Sequence, residues 1–174
     1  MPGGDPDIHV MVADPGRAGV LYATTGFGRF VDDPQPAEQR IAGLFGSRDG
    51  GQTWRYLWDN VQPRYTRPMC IDPRPPHALT VGCAPSAFSS HTDPGGAKSV
   101  LYQSVDGGNS WRSLGDAHHS PSAANILAVG PALEGAGSVL VGTDTGEIWR
   151  VSPAAEWTLL ASGLPMVQAV LPLK

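Results

Sequence analysis

Basic and imidazole side chains in three polar segments are the residues of this sequence best suited to bind a ligand. Residues 62–68 read QPRYTRP, and a guanidinium there could hold a carboxylate or a sugar hydroxyl. Imidazoles in residues 85–98 and 116–123 could contact a ligand or, with Asp93, approach a metal. The alternative is that the arginines cap strand ends or pair with nearby acids, and that the histidines lie in solvated turns. We predict six ligand-binding residues: Arg64, Tyr65, Arg67, His91, His118 and His119.

No pattern in the sequence identifies a catalytic centre or a metal site. The metal-binding spacings CxxC and HxxxH are absent, and so is the GxSxG pattern of a serine nucleophile. Glycoside hydrolysis needs two carboxylates at a defined separation, which one sequence does not give for residues in different loops. The loop carboxylates are Asp32, Asp33, Glu38 and Asp116. We predict no cofactor and no metal, and we assign no catalytic residue.

The overall composition argues against several classes of partner. The formal net charge of -4 and the isoelectric point near 5.6 give no basic surface for nucleic acid or for an anionic membrane. No apolar run approaches the roughly 20 residues of a membrane span. The start MPGGDPDIHV also lacks the features of a secretory signal. We predict a cytoplasmic protein, or a secreted one if the sequence is a fragment.

A repeat organises the elements that would position these side chains. The runs MVADP, MCIDP and LAVGP recur 58 residues apart, and each is followed by three more runs rich in Val, Thr, Tyr and small residues. Four strands per unit are typical of a β-propeller blade. We predict an all-β fold, a partial β-propeller of about three four-stranded antiparallel blades plus one extra strand. Within a single arc over 1–174, blade 1 spans about 8–58, blade 2 about 67–115, blade 3 about 124–161 and the extra strand 166–173.

Two octapeptides, SRDGGQTW at 47–54 and SVDGGNSW at 104–111, fall between the third and fourth predicted strands of their units. Their Asp and Ser side chains can accept backbone N–H groups, their paired glycines supply positive φ, and the Trp covers apolar surface. The third unit lacks the Asp and the glycines in SPAAEW at 152–157, so we expect a looser turn there. We predict structural roles for Ser47, Asp49, Gly51, Thr53, Trp54, Ser104, Asp106, Gly108, Ser110 and Trp111.

The octapeptides resemble the Asp box, S/T-x-D-x-G-x-T/S-W, and the repeat resembles BNR-like propellers. That family includes sialidases, xyloglucanases, sortilin-type receptors and photosystem II assembly factors. The resemblance implies a box that staples the outside of a blade, remote from any catalytic centre. Sialidases of this kind also carry an RIP-type motif and three clustered arginines. Here the nearest string is TRP at 66–68, and three blades are too few to supply the arginine cluster from one chain.

Antiparallel topology places the loops between strands 2 and 3, and those between blades, on the face opposite the octapeptides. Long loops on one side of a rigid scaffold are a common place for binding. Four such loops collect there: 27–41, 59–67, 85–98 and 116–123. We predict a non-catalytic binding or assembly module of the BNR-like propeller type, with a carbohydrate or protein ligand on that face. The alternative is a glycoside hydrolase of sialidase-like or xyloglucanase-like type that is active only as a completed ring.

The predicted arc is too short to close, because propellers close with about four to eight blades. An open arc exposes strand edges and apolar faces, and both favour association. We therefore predict self-association, in a homodimer, to complete the ring. The alternative is that the remainder of a longer protein completes it.

The two cysteines, Cys70 and Cys83, flank a predicted hairpin that turns around residues 74–77. That turn places both thiols on the same sheet face, in diagonal positions where a disulfide would be strained. We predict two buried free thiols that pack as small apolar side chains.

Overall fold

The computed structural model describes residues 7–26, 42–86 and 94–172, and its regular elements are short β-strands. In chain order the strands are β1 (Ile8–Ala13), β2 (Leu21–Thr25), β3 (Gly43–Ser47), β4 (Arg55–Tyr56), β5 (Tyr65–Ile71), β6 (Leu79–Ala84), β7 (Val100–Ser104), β8 (Arg112–Ser113), β9 (Ile126–Pro131), β10 (Val139–Thr143), β11 (Ile148–Val151) and β12 (Trp157–Ala161).

These strands form three antiparallel sheets of four, and within each sheet neighbours in sequence are neighbours in space. We call the sheets blade 1 (β1–β4), blade 2 (β5–β8) and blade 3 (β9–β12). The prediction of an all-β arc of three four-stranded blades is confirmed. Strand β5 begins at Tyr65, two residues before the predicted start of blade 2. Among the described residues, no helix is long and apolar enough to cross a membrane.

Apolar side chains from facing sheets fill two seams. In the first seam, Trp58 at the end of blade 1 packs in one cluster with Val81 of blade 2. In the second seam, Leu114 at the end of blade 2 packs in one cluster with Val141 of blade 3. All four side chains are fully buried. Burying a side chain of this size stabilises the fold by about 1.5–3 kcal/mol, so the seams are what hold successive blades together.

The predicted extra strand over 166–173 does not form a strand in the described part, which ends at residue 172. Val167 nevertheless lies against Gly142 of blade 3, as Ile126 of blade 3 lies against Gly82 of blade 2. The Val167 amide donates to the Thr143 carbonyl at 3.0 Å. In each blade the innermost strand pairs with the second strand of the same blade. The tail, residues 162–172, therefore lies where the innermost strand of a following blade would lie. The described chain has no second strand beside it, so the tail does not form the strand-to-strand hydrogen bonds of a blade.

The prediction that the two cysteines share a sheet face is wrong. The turn pairs the Asp72 amide with the Ala78 carbonyl, which centres the hairpin one residue from the predicted register. A shift of one residue moves a strand's side chains to the opposite face. Cys83 therefore lies in the cluster of the first seam, and Cys70 lies in the cluster of the second. Both thiols are free and buried, as predicted.

Candidate functional site

The octapeptide turns and the long loops lie at opposite ends of the blades. The Gly50 amide in the first octapeptide donates to the Gly19 carbonyl at 2.9 Å, so this turn adjoins the turn between β1 and β2. In an antiparallel sheet with strands in chain order, the connections from β2 to β3 and from β4 to β5 must then emerge at the other end. A candidate ligand site is expected at that loop-bearing end.

A groove of about 560 Å³ opens at the loop-bearing end of blade 2. One wall is the connection from β4 to β5, another is formed by the ends of the β6–β7 loop, and the floor is formed by the outer strands β7 and β8. Its volume lies within the roughly 300–1,000 Å³ that is usual for small-ligand sites. The residues that line it are Gln62, Pro63, Arg64, Pro85, Lys98, Val100, Tyr102, Ser113, Ser120 and Pro121. This described lining contains two cationic side chains and no carboxylate.

Arg64 is the predicted ligand-binding residue that the fold places in this groove. Its Nε atom is buried and has no hydrogen-bond partner among the described residues. A buried N–H without a partner costs roughly 1–3 kcal/mol. Nearby, burial raises the pKa of the Tyr102 hydroxyl, which donates to the Gln62 carbonyl at 2.9 Å and so fixes one wall.

Tyr65 turns away from the groove and packs against blade 1. Its ring lies 4.9 Å from the ring of His9, and its hydroxyl is 3.3 Å from His9 Nε2. His9 Nδ1 lies 2.5 Å from the Thr66 carbonyl and must donate to it, because a carbonyl oxygen only accepts. His9 Nε2 also lies 3.2 Å from Asp7 Oδ2, so a polar cluster joins the first strands of blades 1 and 2.

His9 is not among the predicted ligand-binding residues, although the repeat contains a signal for it. Aligning the units by 58 residues places His9 at the position of Arg67, near the start of an innermost strand. Arg67 itself is exposed, and its backbone carbonyl accepts a hydrogen bond from Thr24 Oγ1 at 3.0 Å. The structure therefore separates the three residues that were predicted to act together in QPRYTRP. Arg64 faces the groove, Tyr65 faces His9, and Arg67 faces solvent.

The two described histidines of the loop after blade 2 also differ. His118 is exposed, whereas His119 stacks on Trp157 with ring centroids 4.1 Å apart and planes 6° from parallel. His119 Nδ1 lies 2.8 Å from Asp116 Oδ1. Burial acts to raise the pKa of Asp116, but hydrogen bonds from His118 and His119 outweigh it and lower that pKa. His119 therefore contributes to the second seam.

The remaining predicted candidates lie outside the described residues: His91, Asp93, Asp32, Asp33 and Glu38. The same holds for most of loop 27–41 and for the centre of loop 85–98. In the described ranges, no three His, Cys, Asp or Glu side chains lie together as metal ligands would.

The first octapeptide forms a closed network within eight residues. Ser47 Oγ donates to Asp49 Oδ1 at 2.8 Å and accepts the Gly51 amide at 2.8 Å. Asp49 accepts the Thr53 amide at 2.9 Å and the Thr53 hydroxyl at 2.5 Å. These hydrogen bonds from Thr53 and Ser47 lower the pKa of Asp49 to about 2. Gly51 has φ of 92°, a value that suits glycine.

The second octapeptide repeats this network. Ser104 Oγ donates to Asp106 at 2.8 Å and accepts the Gly108 amide at 2.8 Å, while Ser110 donates to Asp106 through its hydroxyl and its amide. Burial acts to raise the pKa of Asp106, but the hydrogen bonds from Ser110 and Ser104 lower it to about 2. All of these partners belong to the turn itself, so the predicted structural residues have structural contacts.

The tryptophans that end the turns differ in their acceptors. Trp111 Nε1 donates to the Leu57 carbonyl of blade 1 at 2.9 Å, and Trp157 Nε1 donates to the Leu114 carbonyl of blade 2 at 2.7 Å. Both bonds cross a seam. Trp54 Nε1 instead donates to the Gly51 carbonyl of its own turn at 2.9 Å. The tryptophan thus links its blade to the preceding one wherever the described chain provides a preceding blade.

Comparison with known proteins identifies the fold. No family model matches the sequence, and the curated proteins contain no match. An ancestral GH74 enzyme is similar with a TM-score of 0.62 and 15% identity, over 95% of this chain and 19% of that one. A YCF48 structure bound to a D1 peptide is similar with a TM-score of 0.56 and 20% identity, over 92% of this chain and 43% of that one. The GH74 xyloglucanase of Xanthomonas campestris has a TM-score of 0.59 and 17% identity, over 89% of this chain and 21% of that one.

These neighbours share a propeller-type fold with this chain, and the chain spans less than half the length of each. Both a glycoside hydrolase group and YCF48 proteins occur among them. The described chain is accordingly a propeller-type module.

Proposed function

We propose that this chain is a non-catalytic binding module of the BNR-like propeller type, with the two octapeptides as structural Asp boxes. Its ligand is an acidic segment of a protein partner, which binds in the groove at the loop-bearing end of blade 2. The observation that carries this proposal is the buried Arg64 Nε without a described partner, in a groove whose described lining holds no carboxylate.

The chemistry of the groove favours a carboxylate-bearing peptide over a neutral ligand. A guanidinium offers a planar fork of donors that matches a carboxylate, and such charge-assisted hydrogen bonds are about twice as strong as neutral ones. The proline and tyrosine walls, Pro63, Pro85, Tyr102 and Pro121, provide apolar surface for the rest of a peptide. A YCF48 propeller has been solved bound to a D1 peptide, which supports peptide binding as a function that this type of fold can have.

The alternative function is glycoside hydrolysis, and the GH74 neighbours are the observation that favours it. Hydrolysis needs two carboxylates on either side of the scissile bond. The described groove lining supplies none, so the groove supports binding better than hydrolysis. Turnover of xyloglucan or of aryl glycosides by the full chain would overturn the choice of a non-catalytic module.

Binding is tested by fluorescence anisotropy with a labelled hexaglutamate peptide and a hexaglutamine control. We expect saturable binding of hexaglutamate that weakens with salt, and no saturation with hexaglutamine. Arg64→Gln should weaken binding about 10-fold or more, because a hydrogen bond to a charged group contributes about 1.5–3 kcal/mol. Arg67→Gln, the same change at an exposed arginine outside the described groove lining, should bind like the unmodified chain. Equal binding by the two variants would contradict the proposed site.

A further inference from the structure

We propose that a second copy of this chain docks head to tail on blade 3, so that the partner's blade 1 follows blade 3 as blade 2 follows blade 1. The surface concerned is the face of blade 3 that points away from blade 2, together with the end of β12. Three contacts recur at both internal seams, and two of them stand half-complete at the two ends of the arc.

The first recurring contact is the tryptophan bond. At each internal seam the Trp of the following blade donates to the carbonyl of the leucine that follows the last strand of the preceding blade, Leu57 or Leu114. Trp54 at the head of the arc has the same place in its turn but bonds to its own turn. Trp54 therefore has the same position in its turn as Trp111 and Trp157, but the described chain has no preceding blade whose leucine carbonyl could accept its N–H.

The second recurring contact is the buried leucine. Leu57 is 7% exposed and Leu114 is fully buried, because the next blade covers each of them. In blade 3 the ladder pairs Trp149 with Leu159, and Leu160 follows. The first two blades have the same order. Phe45 pairs with Tyr56, which precedes Leu57, and Tyr102 pairs with Ser113, which precedes Leu114. Leu160 is 52% exposed, so blade 3 ends in the acceptor half of a seam without a cover.

A third recurring contact comes from the arginine that begins the outermost strand of blade 1 and of blade 2. Arg55 of blade 1 donates to Asn109 Oδ1 in the turn of blade 2 at 2.7 Å, and Arg112 of blade 2 donates to the Pro153 carbonyl in the turn of blade 3 at 2.6 Å. In each case a side chain from the outer strand reaches forward to the next turn. Seams in this chain are therefore directional: the tryptophan of the following blade donates backward, and the arginine of the preceding blade donates forward. Blade 3 has Thr158 at the arginine position, so this third contact is not offered at the end of the arc.

Because head and tail are complementary and lie on the same chain, a second copy is the occupant that fits. An interface that joins head to tail closes into a ring when the rotation per subunit divides the circle. Two copies of three blades would give six, which lies within the usual range of about four to eight blades for a closed propeller.

The tail is the element that must move for this docking. Val167 lies against Gly142, which is where the innermost strand of a following blade would pack by comparison with Ile126 against Gly82. The partner's β1 would take that position. The tail therefore covers part of the face of blade 3 on which the partner would dock, and removing the tail should strengthen association.

Sedimentation velocity over a range of concentrations tests the proposal. We expect the full chain to show a concentration-dependent dimer, and Leu160→Glu to shift the midpoint of association at least 10-fold upward in concentration. Val105→Glu is the matched control, because Val105 is 54% exposed but lies in the octapeptide turn of blade 2, away from both ends. Leu160→Glu that associates like Val105→Glu would overturn the proposal.

A second variant keeps the test valid if the tail holds the full chain as a monomer. A chain ending at residue 161 should associate more strongly than the full chain, and adding Leu160→Glu to it should reverse the gain. A truncated chain that remains folded by circular dichroism and monomeric at every concentration contradicts the docking. A series of species larger than a dimer would contradict the closed two-copy ring. Arg64→Gln should leave association unchanged, so the outcome is independent of the groove.

Discussion

The turn at residues 104–111 has both a carboxylate network around its Asp and a tryptophan bond to the preceding blade. The turns at 47–54 and 152–157 each have one of these two features. The first has the full carboxylate network around Asp49, but Trp54 bonds within its own turn. The third has no Asp, but Ser152 Oγ accepts the Ala154 and Glu156 amides at 3.2 Å, just as Ser47 Oγ accepts the Asp49 and Gly51 amides. Trp157 nonetheless donates to the Leu114 carbonyl and stacks on His119.

This comparison separates two roles that the octapeptide combines. The Asp and Ser side chains organise the turn, and they do so whether or not a blade precedes it. The tryptophan joins blades, and it does so whether or not the turn has its Asp. We expected a looser turn in the third unit. The structure shows that the seam contact of Trp157 does not need the carboxylate.

The largest effect should come from removing the seam tryptophans. Trp111→Ala and Trp157→Ala should each lower the free energy of unfolding by about 3 kcal/mol, since each leaves a void at an interblade contact and an unpaired carbonyl. Trp54→Ala should cost about half as much, because Trp54 has no described partner blade. Urea unfolding measures all three. A loss for Trp54→Ala as large as the other two would contradict the separation of roles.

A smaller change, Trp to Phe, removes the N–H donor but keeps an aromatic ring at the seam, and labelling of the two cysteines measures the opening of each seam separately. Burial raises the pKa of Cys70 to about 12 and also raises the pKa of Cys83, so neither thiol should react until its seam opens. Losing one hydrogen bond costs about 1 kcal/mol, which corresponds to about fivefold more opening. Trp111→Phe should speed labelling of Cys83, and Trp157→Phe should speed labelling of Cys70.

Single-cysteine variants, Cys70→Ala and Cys83→Ala, assign the labelling rates. Trp54→Phe serves as the control and should change neither rate. If Trp111→Phe accelerated both thiols equally, the seams would open together, and the comparison between turns would lose its structural basis.

The smallest effect should be the acid dependence of the first two turns. The folded pKa of Asp49 and of Asp106 is about 2, below the ordinary value of about 4 for an unfolded chain. A depressed pKa contributes stability that is present above the unfolded pKa and is lost as the pH falls from about 4 to about 2. The double variant Asp49→Asn with Asp106→Asn should therefore be less stable than the unmodified chain at neutral pH.

The difference between these two proteins should shrink across the same acid range, as urea midpoints at successive pH values would show. Adding Glu156→Gln to both proteins should leave their difference in stability unchanged, because Glu156 lies in the third turn, outside the networks of Asp49 and Asp106. A difference that stays constant down to about pH 2 would mean that the two carboxylates do not contribute through their ionised form.

The placement of the candidate site shows where prediction from the sequence ended. The loop-bearing end followed from antiparallel topology alone, and Arg64 lies there. Tyr65 adjoins Arg64 in sequence, but successive side chains of an extended chain point to opposite sides. Arg67 does not follow this alternation from Tyr65, because the ladder of β5 with β6 shifts register between Thr66 and Met69. Their surroundings depend on which blade adjoins each face. His9 entered the cluster beside Tyr65 only because blade 1 packs against blade 2.

The sequence by itself determined the repeat, the three four-stranded sheets and the two octapeptide turns. These features are local, because the strands follow one another and each turn's partners lie within eight residues. The tertiary structure decided the faces on which Cys70 and Cys83 lie, the acceptor of each tryptophan and the position of the tail. The face of each cysteine depends on the register of a hairpin, and a shift of one residue moves a side chain to the opposite face without changing the local sequence pattern. The tryptophan acceptors and the position of the tail depend on whether a neighbouring blade is present.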